Sequence, residues 1–333
     1  MRLASAIVLF AAAGVAVTPV RAEPAGGVVP LRVMTYNIHS CKGRDGKIRP
    51  DRIAQVISLY HPDVVVLEEV RVGRIDARTV DRPSLTKDGV TPPPVGEAPL
   101  PPPSVIAPRT PANSAAPEAP APFTDQPRVI AEANGMSYIF YPLVRTKTED
   151  YGIALLSRRP VKLVRAENLP TLPSRRPLER RGAIWAEISV DGLDVQILGT
   201  HLGLNGDERM AQVDALTGPD WLGSEKFRGP FALCGDFNSR PSQSAYKKVA
   251  RTAVDGPLSL LGGKVKATWP SSLPFFRIDH VFVPKSARTV AVDVPQTALT
   301  KVSSDHLPVI ADLVFQRKTE SRREINVPPK EHL

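Results

Sequence analysis

Cysteine is scarce in this chain, which has only Cys41 and Cys234 among its 333 residues. Two thiols are too few for a cysteine-based metal site, so that class of site is excluded. Cys234 lies in an apolar run and is expected to be a small buried hydrophobe. Cys41 follows a predicted strand end in a turn rich in lysine and glycine. A disulfide between the two cysteines stays open on the sequence alone.

Long apolar runs are absent after the first 22 residues, because no later stretch approaches the ~18 consecutive apolar residues of a membrane span. The first residues combine a basic start, an apolar run over residues 3–17 and small side chains at Val20 and Ala22. This pattern is typical of a secretory signal peptide cleaved after Ala22, with an uncleaved anchor as the alternative. We therefore expect an exported protein, periplasmic or secreted, without a transmembrane segment in the mature chain.

Acidic residues are fewer than basic ones, and the net charge of +9 with a pI near 9.7 favours polyanionic partners. Nucleic acid and anionic lipid headgroups both fit this charge. Part of the basic excess lies in residues 318–333, which contain too few apolar side chains to pack and are expected to form a flexible tail.

Proline is concentrated in one region, since residues 82–127 hold 14 of the chain's 35 prolines. Such a segment buries too little apolar area to offset its ordering entropy, so we expect a disordered insertion with polyproline II character. A binding arm or spacer is the functional alternative to a tolerated surface insertion.

The rest of the chain, within residues 23–317, reads as one layered α/β domain with a mixed sheet. Amphipathic helices are predicted in "RPDRIAQVISLYHP", "TDQPRVIAEANGM" and "GDERMAQVDALTG". Asp191 and Gly192 form a strong hairpin signal between two alternating runs. Apolar runs predict strands over residues 31–38, 63–70, 137–144, 151–157, 183–190, 193–202, 231–237, 278–284 and 308–315.

Polar, titratable side chains stand at the ends of these apolar runs. Asp236 and Asn238 are two positions apart and project from the same face of a strand, although both residue types are also ordinary turn formers. The other strand ends carry further residues of this kind: Asn37, His39, Glu68, Glu69, His201, Asp279, Asp305 and His306.

This inventory has a chemical meaning. Carboxylates and carboxamides at one sheet edge are hard oxygen ligands for Mg²⁺, Mn²⁺ or Ca²⁺, and nearby histidines transfer protons near neutral pH. Hydrolysis of a phosphoester requires an activated water, a group that stabilises the pentavalent phosphorus and a neutralising cation. Either histidine alone is as consistent with a structural role as with this chemistry.

Seven blocks in order resemble the signatures of the endonuclease/exonuclease/phosphatase superfamily, which includes deoxyribonuclease I, abasic-site endonucleases, neutral sphingomyelinases and inositol-polyphosphate phosphatases. The blocks are "TYNIH", "PDVVVLEEV", "GIALLSRRP", "THLGL", "GDFNSRP", "TWP" with "RIDHVFV", and "SSDHLPV". The resemblance is greatest to a bacterial "YNIH" branch in which the substrate varies. It implies a four-layered α/β sandwich of two packed mixed sheets with outer helices.

The resemblance also implies a role for each site residue. Asn37, Glu69 and Asp305 match the metal-site positions, where Mg²⁺ or Mn²⁺ is expected. Asp236 and Asn238 match the pair that orients water and stabilises the phosphorane, His306 matches the base or phosphate ligand, and Asp279 its buttress. His201 matches a second catalytic histidine. Arg181 is similar to a phosphate-contacting arginine.

Four positions depart from the family pattern, and two of them are Ile153, where an Asn is frequent, and His280, where an Arg or Tyr is common. His39 stands where abasic endonucleases have a second metal carboxylate, and Glu68 replaces a usual glutamine, which would add negative charge near the metal.

The sequence therefore predicts an exported, divalent-metal-dependent phosphodiesterase. Nucleic acid is favoured as substrate over phospholipid or sphingomyelin headgroups, because no aromatic-rich insertion resembles a membrane-penetrating hairpin. A non-catalytic exported binding module is the third interpretation. A module that only binds a partner would not need the full set of polar residues at the strand ends, which argues against it.

Overall fold

The computed structural model describes residues 27–73, 105–106, 125–173 and 178–317. The expected signal peptide and the expected basic tail lie outside these residues. Of the expected proline-rich insertion, only residues 105–106 and 125–127 are described. The first two pair with a neighbouring strand, and Gln126 begins a helix.

Thirteen strands and six α-helices make up the described chain, with short 3₁₀ turns at His39–Cys41 and Gly262–Lys264. The strands are β1 Val28–Asn37, β2 Val64–Gly73, β3 Val105–Ile106, β4 Ser137–Arg145, β5 Glu149–Ser157, β6 Val161–Asn168, β7 Gly182–Val190, β8 Leu193–His201, β9 Phe231–Asp236, β10 Val254–Asp255, β11 Asp279–Val283, β12 Arg288–Asp293 and β13 Val309–Gln316. The helices are α1 Pro50–Tyr60, α2 Gln126–Ala133, α3 Gly206–Thr217, α4 Ser244–Thr252, α5 Gly256–Leu261 and α6 Ala298–Ser303.

The strands form two sheets, in the orders β12-β13-β1-β2-β5-β4-β3 and β10-β11-β9-β8-β7-β6. Each sheet has one parallel pair near its centre, β1 with β2 and β8 with β9, and all its other neighbours are antiparallel. Both sheets are therefore mixed, as the sequence predicted.

Three apolar clusters hold the layers together. The largest lies between the sheets and includes Val33, Val66, Ile197 and Cys234. A second packs α1 and α2 against the outer face of the first sheet, and a third packs α3 and α4 against the outer face of the second. The predicted four-layered sandwich is thus confirmed.

Cys41 and Cys234 are buried and free. Cys41 packs under α1 on the outer face of the first sheet, whereas Cys234 lies in the layer between the sheets. The first sheet separates the two thiols, so the bridge that the sequence left open is not formed.

Local signals explain the predicted helices. α1 begins at Pro50, which suits the first helical turn, and buries Ile53, Val56 and Ile57 on one face. The Asn205 side chain caps α3 by accepting from the backbone N–H groups of Asp207 and Glu208. None of the helices among the described residues combines the length and the apolar character that a bilayer crossing requires.

Gly235 lets β8 and β9 approach closely beside the strand ends. It pairs with Thr200 and has a φ of 150°, and a Cβ built on it would lie 1.8 Å from the Thr200 carbonyl oxygen. Any larger residue therefore pushes the two strands apart one position before Asp236.

We expect Gly235→Ala to lower the free energy of unfolding by about 3 kcal/mol or more, because it combines a backbone clash with an unfavourable φ. Gly263→Ala is the matched control, since nothing lies within 4 Å of its added Cβ. Urea or thermal unfolding measures both. Equal stability of the two variants would contradict the close approach.

Candidate active site

The two parallel strand pairs end at the same edge of the sandwich. Asn37 ends β1, His201 ends β8 and Asp236 ends β9. On each strand the side chain of this last residue points into the layer between the two sheets, because every second residue of a strand faces the same side. In β9, for example, Ala232, Cys234 and Asp236 share that face. The apolar layer between the sheets thus ends in a polar layer.

The strands that pair antiparallel with β9 and β1, namely β11 and β13, begin at the same edge. Asp279 opens β11 directly opposite Asp236, and His306 precedes β13. His306 Nδ1 lies 3.0 Å from Asp279 Oδ2, and His306 Nε2 lies 3.7 Å from Asp236 Oδ2. The predicted dyad of Asp279 and His306 is therefore formed in this structure.

Asn37 links the two sheets at the site. Its Nδ2 donates to Glu69 Oε1 at 3.0 Å and to Asp236 Oδ2 at 3.1 Å, while its Oδ1 accepts from the His39 backbone N–H at 3.0 Å. In this arrangement the Asn37 amide fixes the position of the Glu69 carboxylate.

A bulge in β2 separates the two adjacent glutamates. The register with β5 shifts between Leu67 and Val70, and Glu69 has a φ of 60°. Glu69 faces the cleft, whereas Glu68 is fully buried and accepts from Thr35 Oγ1 at 2.8 Å. Burial and the nearby Asp279 raise the pKa of Glu68 well above its usual range. Burial therefore disfavours the negative charge that Glu68 was expected to add near the metal.

His201 is held as a neutral donor. Arg181 Nη1 donates to His201 Nδ1 at 2.9 Å, so the ring proton lies on Nε2. Burial, Arg181 and His306 lower the pKa of His201 well below its usual range. A proton-transfer role, which the sequence allowed for both histidines, does not suit this one.

Arg181 lies at the cleft but is already engaged. Its Nη1 also donates to Glu179 Oε1 at 2.7 Å, and its side chain is buried, whereas neighbouring Arg180 is exposed. The contacts thus assign Arg181 to the orientation of His201, and a direct contact with phosphate stays a prediction.

Asn238 and His201 place two donors side by side. Asn238 has a φ of 46°, its backbone N–H donates to Asp236 Oδ1, and its Nδ2 donates to the Leu202 carbonyl. Asn238 Nδ2 lies 3.2 Å from His201 Nε2. His201 Nε2 also lies 3.5 Å from Asp236 Oδ2. Both nitrogens are hydrogen-bond donors at the cleft, so they can donate to an anionic oxygen bound there.

The surroundings of His306 shift its pKa in the opposite direction to that of His201. Burial alone would lower the pKa of His306, but the carboxylates of Asp279 and Asp236 raise it to about 10. Burial and Asp279 in turn raise the pKa of Asp236 above its usual range. Ligand atoms of these three residues lie within 4.8 Å of one another, which is close enough to hold a metal ion. In this structure His306 pairs with both carboxylates.

The cleft also holds two carboxylates that the sequence predicted as metal ligands. Glu69 and Asp305 both line it, and Asp305 Oδ2 accepts from Trp269 Nε1 at 3.3 Å. Within the described chain, neither of these carboxylates, nor that of Asp236 or Asp279, is paired with a lysine or arginine. Hard oxygen donors without a compensating charge are what Mg²⁺ or Mn²⁺ requires.

The site opens into a cleft of about 1170 Å³. Among the residues that face it without a role assigned from the sequence are Trp269 and Tyr151. Trp269 lies in the "TWP" block, so its position could be predicted but its contact with Asp305 could not. Tyr151 stands at an ordinary strand position and carried no sequence signal.

The sequence model of the Endonuclease/Exonuclease/phosphatase family matches residues 34–306. The chain is 24% identical over 165 residues to the uncharacterized protein YbhP of Escherichia coli K12, which is 49% of this chain and only 62% of YbhP.

Solved structures share the fold. An endonuclease/exonuclease/phosphatase from Beutenbergia cavernae superposes with a TM-score of 0.57 at 22% identity, over 86% of this chain and 72% of the other. A mannosyl-6-phosphatase from Bacteroides thetaiotaomicron superposes with a TM-score of 0.58 at 18% identity, over 86% of this chain and all of the other.

We expect Arg181→Leu to raise the pKa of His201, because the substitution removes a cation that disfavours the imidazolium. The shift is read from the imidazole resonances by NMR titration in the presence of chelator. Arg180→Leu removes an exposed charge next to it and is the control. A His201 pKa that moves equally in both variants would contradict the pairing.

We expect His306→Gln to lower kcat by ~10² to 10⁴-fold and Asp279→Asn to lower it less, because Asp279 acts through His306. The double variant should be scarcely slower than His306→Gln, since the two residues work as a unit. Steady-state kinetics on a soluble phosphodiester measure these rates. Unfolding is measured in parallel, because both residues are buried. Penalties that multiply in the double variant would show independent roles.

Proposed function

Because the chain belongs to the Endonuclease/Exonuclease/phosphatase family, we propose that it hydrolyses phosphodiester bonds with a divalent cation. It is a phosphoric ester hydrolase, so a purely binding role is set aside. The observation that carries the proposal is the pair of N–H donors at His201 and Asn238, which lies beside the carboxylate of Asp236 at the cleft.

In this proposal the chain binds a divalent cation from solution. Glu69 and Asp305 would hold Mg²⁺ or Mn²⁺, with Asn37 steering Glu69. When bound, such a cation neutralises charge on the non-bridging and leaving oxygens of the phosphate.

Asp236 is the base in this proposal. Its raised pKa makes the carboxylate a better proton acceptor than an exposed aspartate, and the Asn238 backbone N–H orients it. One proton of the attacking water passes to Asp236 as the water oxygen bonds to phosphorus. The bond to the leaving oxygen breaks, and that oxygen takes a proton from the solvent in the cleft.

Three donors meet the charge that develops on the phosphorane. His306 stays cationic and its Nε2 faces Asp236, because Nδ1 is bound to Asp279. His201 Nε2–H and Asn238 Nδ2–H supply neutral hydrogen bonds. Donors fixed before the reaction stabilise the transition state more than the ground state.

Two substrate classes fit the cleft. Nucleic acid is supported by the net charge and by five basic side chains that line the cleft: Lys42, Arg71, Arg181, Arg209 and Arg240. A phospholipid headgroup is the second candidate, and exposed apolar side chains at the mouth favour it. Hydrolysis of plasmid DNA and of phospholipid vesicles under the same conditions separates the two. Export to the periplasm or the medium is part of this proposal.

We expect Glu69→Gln to lower the Mg²⁺-dependent hydrolysis of bis(p-nitrophenyl) phosphate by ~10²-fold or more, because a direct carboxylate ligand is lost. Glu68→Gln is the matched control and should stay within a few fold of the parent, since Glu68 is buried, bonds to Thr35 and does not line the cleft. Isothermal titration with Mn²⁺ should show weaker binding for Glu69→Gln alone. Full activity of Glu69→Gln, or of the parent in excess chelator, would remove the cation from the proposal.

A further inference from the structure

We propose that the mouth of the cleft docks onto an anionic phospholipid bilayer, which presents the substrate headgroup to the site. This inference rests on the proposed phosphodiesterase function. The docking surface is the apolar rim, which we define as Ile48, Leu204, Leu273 and Phe275. Their side chains are 52%, 75%, 74% and 60% exposed.

The apolar rim surrounds the cleft on more than one side. Ile48 precedes α1, Leu204 lies between β8 and α3, and Leu273 and Phe275 share the loop before β11. Ile48 and Leu204 line the cleft directly. Phe275 packs against Trp269 and Phe276, which line it as well. Three separate segments thus carry large exposed apolar side chains at the cleft or on loops whose residues line it.

The loop before β11 is held rigidly with its apolar side chains outward. The backbone N–H groups of Phe275 and Phe276 both donate to the Trp269 carbonyl, and buried Ser271 donates through Oγ to the Ser304 carbonyl at 2.7 Å. These hydrogen bonds hold the loop backbone in a conformation that leaves the side chains of Leu273 and Phe275 exposed. Where exposed apolar side chains form a patch, they mark a contact with a membrane or another protein.

Basic side chains lie beside the apolar rim. Lys42 pairs with Ile48 through a backbone bridge, and the Arg240 guanidinium lies 4.9 Å from the ring centre of Phe276. Neither is ion-paired with any residue that the structure describes. Apolar side chains that enter the interface, together with cations that meet anionic headgroups, are the two elements of interfacial binding.

Nucleic acid accounts for only part of this surface. The cations would bind its phosphates, and flat rings would stack on its bases. Ile48, Leu204 and Leu273 are aliphatic, have no flat face and bind no phosphate. Their transfer from water to the acyl region of a bilayer is favourable, so the bilayer explains the whole rim.

Sedimentation with phosphatidylglycerol vesicles and with phosphatidylcholine vesicles tests the proposal on the full chain. We expect binding to the first, weakened by salt, and about tenfold weaker binding for Leu273→Ser and for Phe275→Ser. Leu59→Ser is the matched control, because Leu59 is 59% exposed on α1, away from the mouth. Turnover on vesicles divided by turnover on bis(p-nitrophenyl) phosphate should fall with binding.

Absence of vesicle binding would overturn the proposal, and so would equal losses in Leu273→Ser and Leu59→Ser. Rim variants that bind vesicles normally but lose retention on plasmid DNA would assign the surface to nucleic acid. A chain that binds vesicles yet leaves the soluble diester intact would instead contradict the proposed phosphodiesterase function. Circular dichroism confirms that each variant is folded.

Discussion

Two aspartates face each other on neighbouring strands, and the site depends on the histidine cation that lies between them. Asp236 and Asp279 are paired in the register of β9 and β11, and both are buried. Like charges directly opposite each other destabilise a sheet. His306 contacts both carboxylates, so the strand ends can carry two acids only while the imidazole stays protonated. Breaking a buried pair of this kind typically costs about 3–5 kcal/mol.

That constraint assigns different tasks to two histidines a few ångströms apart. His306 is kept cationic by carboxylates, and His201 is kept neutral by Arg181. Groups whose pKa values are pushed apart by their surroundings commonly divide the acid, base and hydrogen-bonding roles of an enzyme. In the proposed mechanism the base role falls to Asp236, and both histidines stabilise charge. Burial raises the pKa of Glu68 and disfavours its charged form, whereas the adjacent Glu69 faces the cleft.

The sequence predicted the central strands well and missed the outer ones. Every strand without a predicted counterpart lies at the edge of a sheet: β3 and β12 in the first, β6 and β10 in the second. Edge strands are covered on fewer sides, so they need no continuous apolar run. In β12 no residue is fully buried. The helices α4 to α6 were also missed, two of them because six residues are too few to show a period.

The site could be predicted as a set of residues but not as a set of contacts. Strand-end position identified Asp236, Asn238, His201 and Asp279, because parallel pairing brings such ends together. Which of these residues carry a charge and which face the cleft could not be predicted in this way. It depends on Arg181 reaching His201 and on a bulge at Glu69, and both are decided by tertiary packing. The rim at the mouth was missed because its members come from three distant segments.

The hydrogen bond from Asn37 to Asp236 spans 199 positions of the chain and joins the two sheets. During synthesis, the first of these residues leaves the ribosome long before the second exists, and β11 and β13 follow later still. A growing chain therefore holds only scattered pieces of the site. The site is complete only when both sheets have closed on each other.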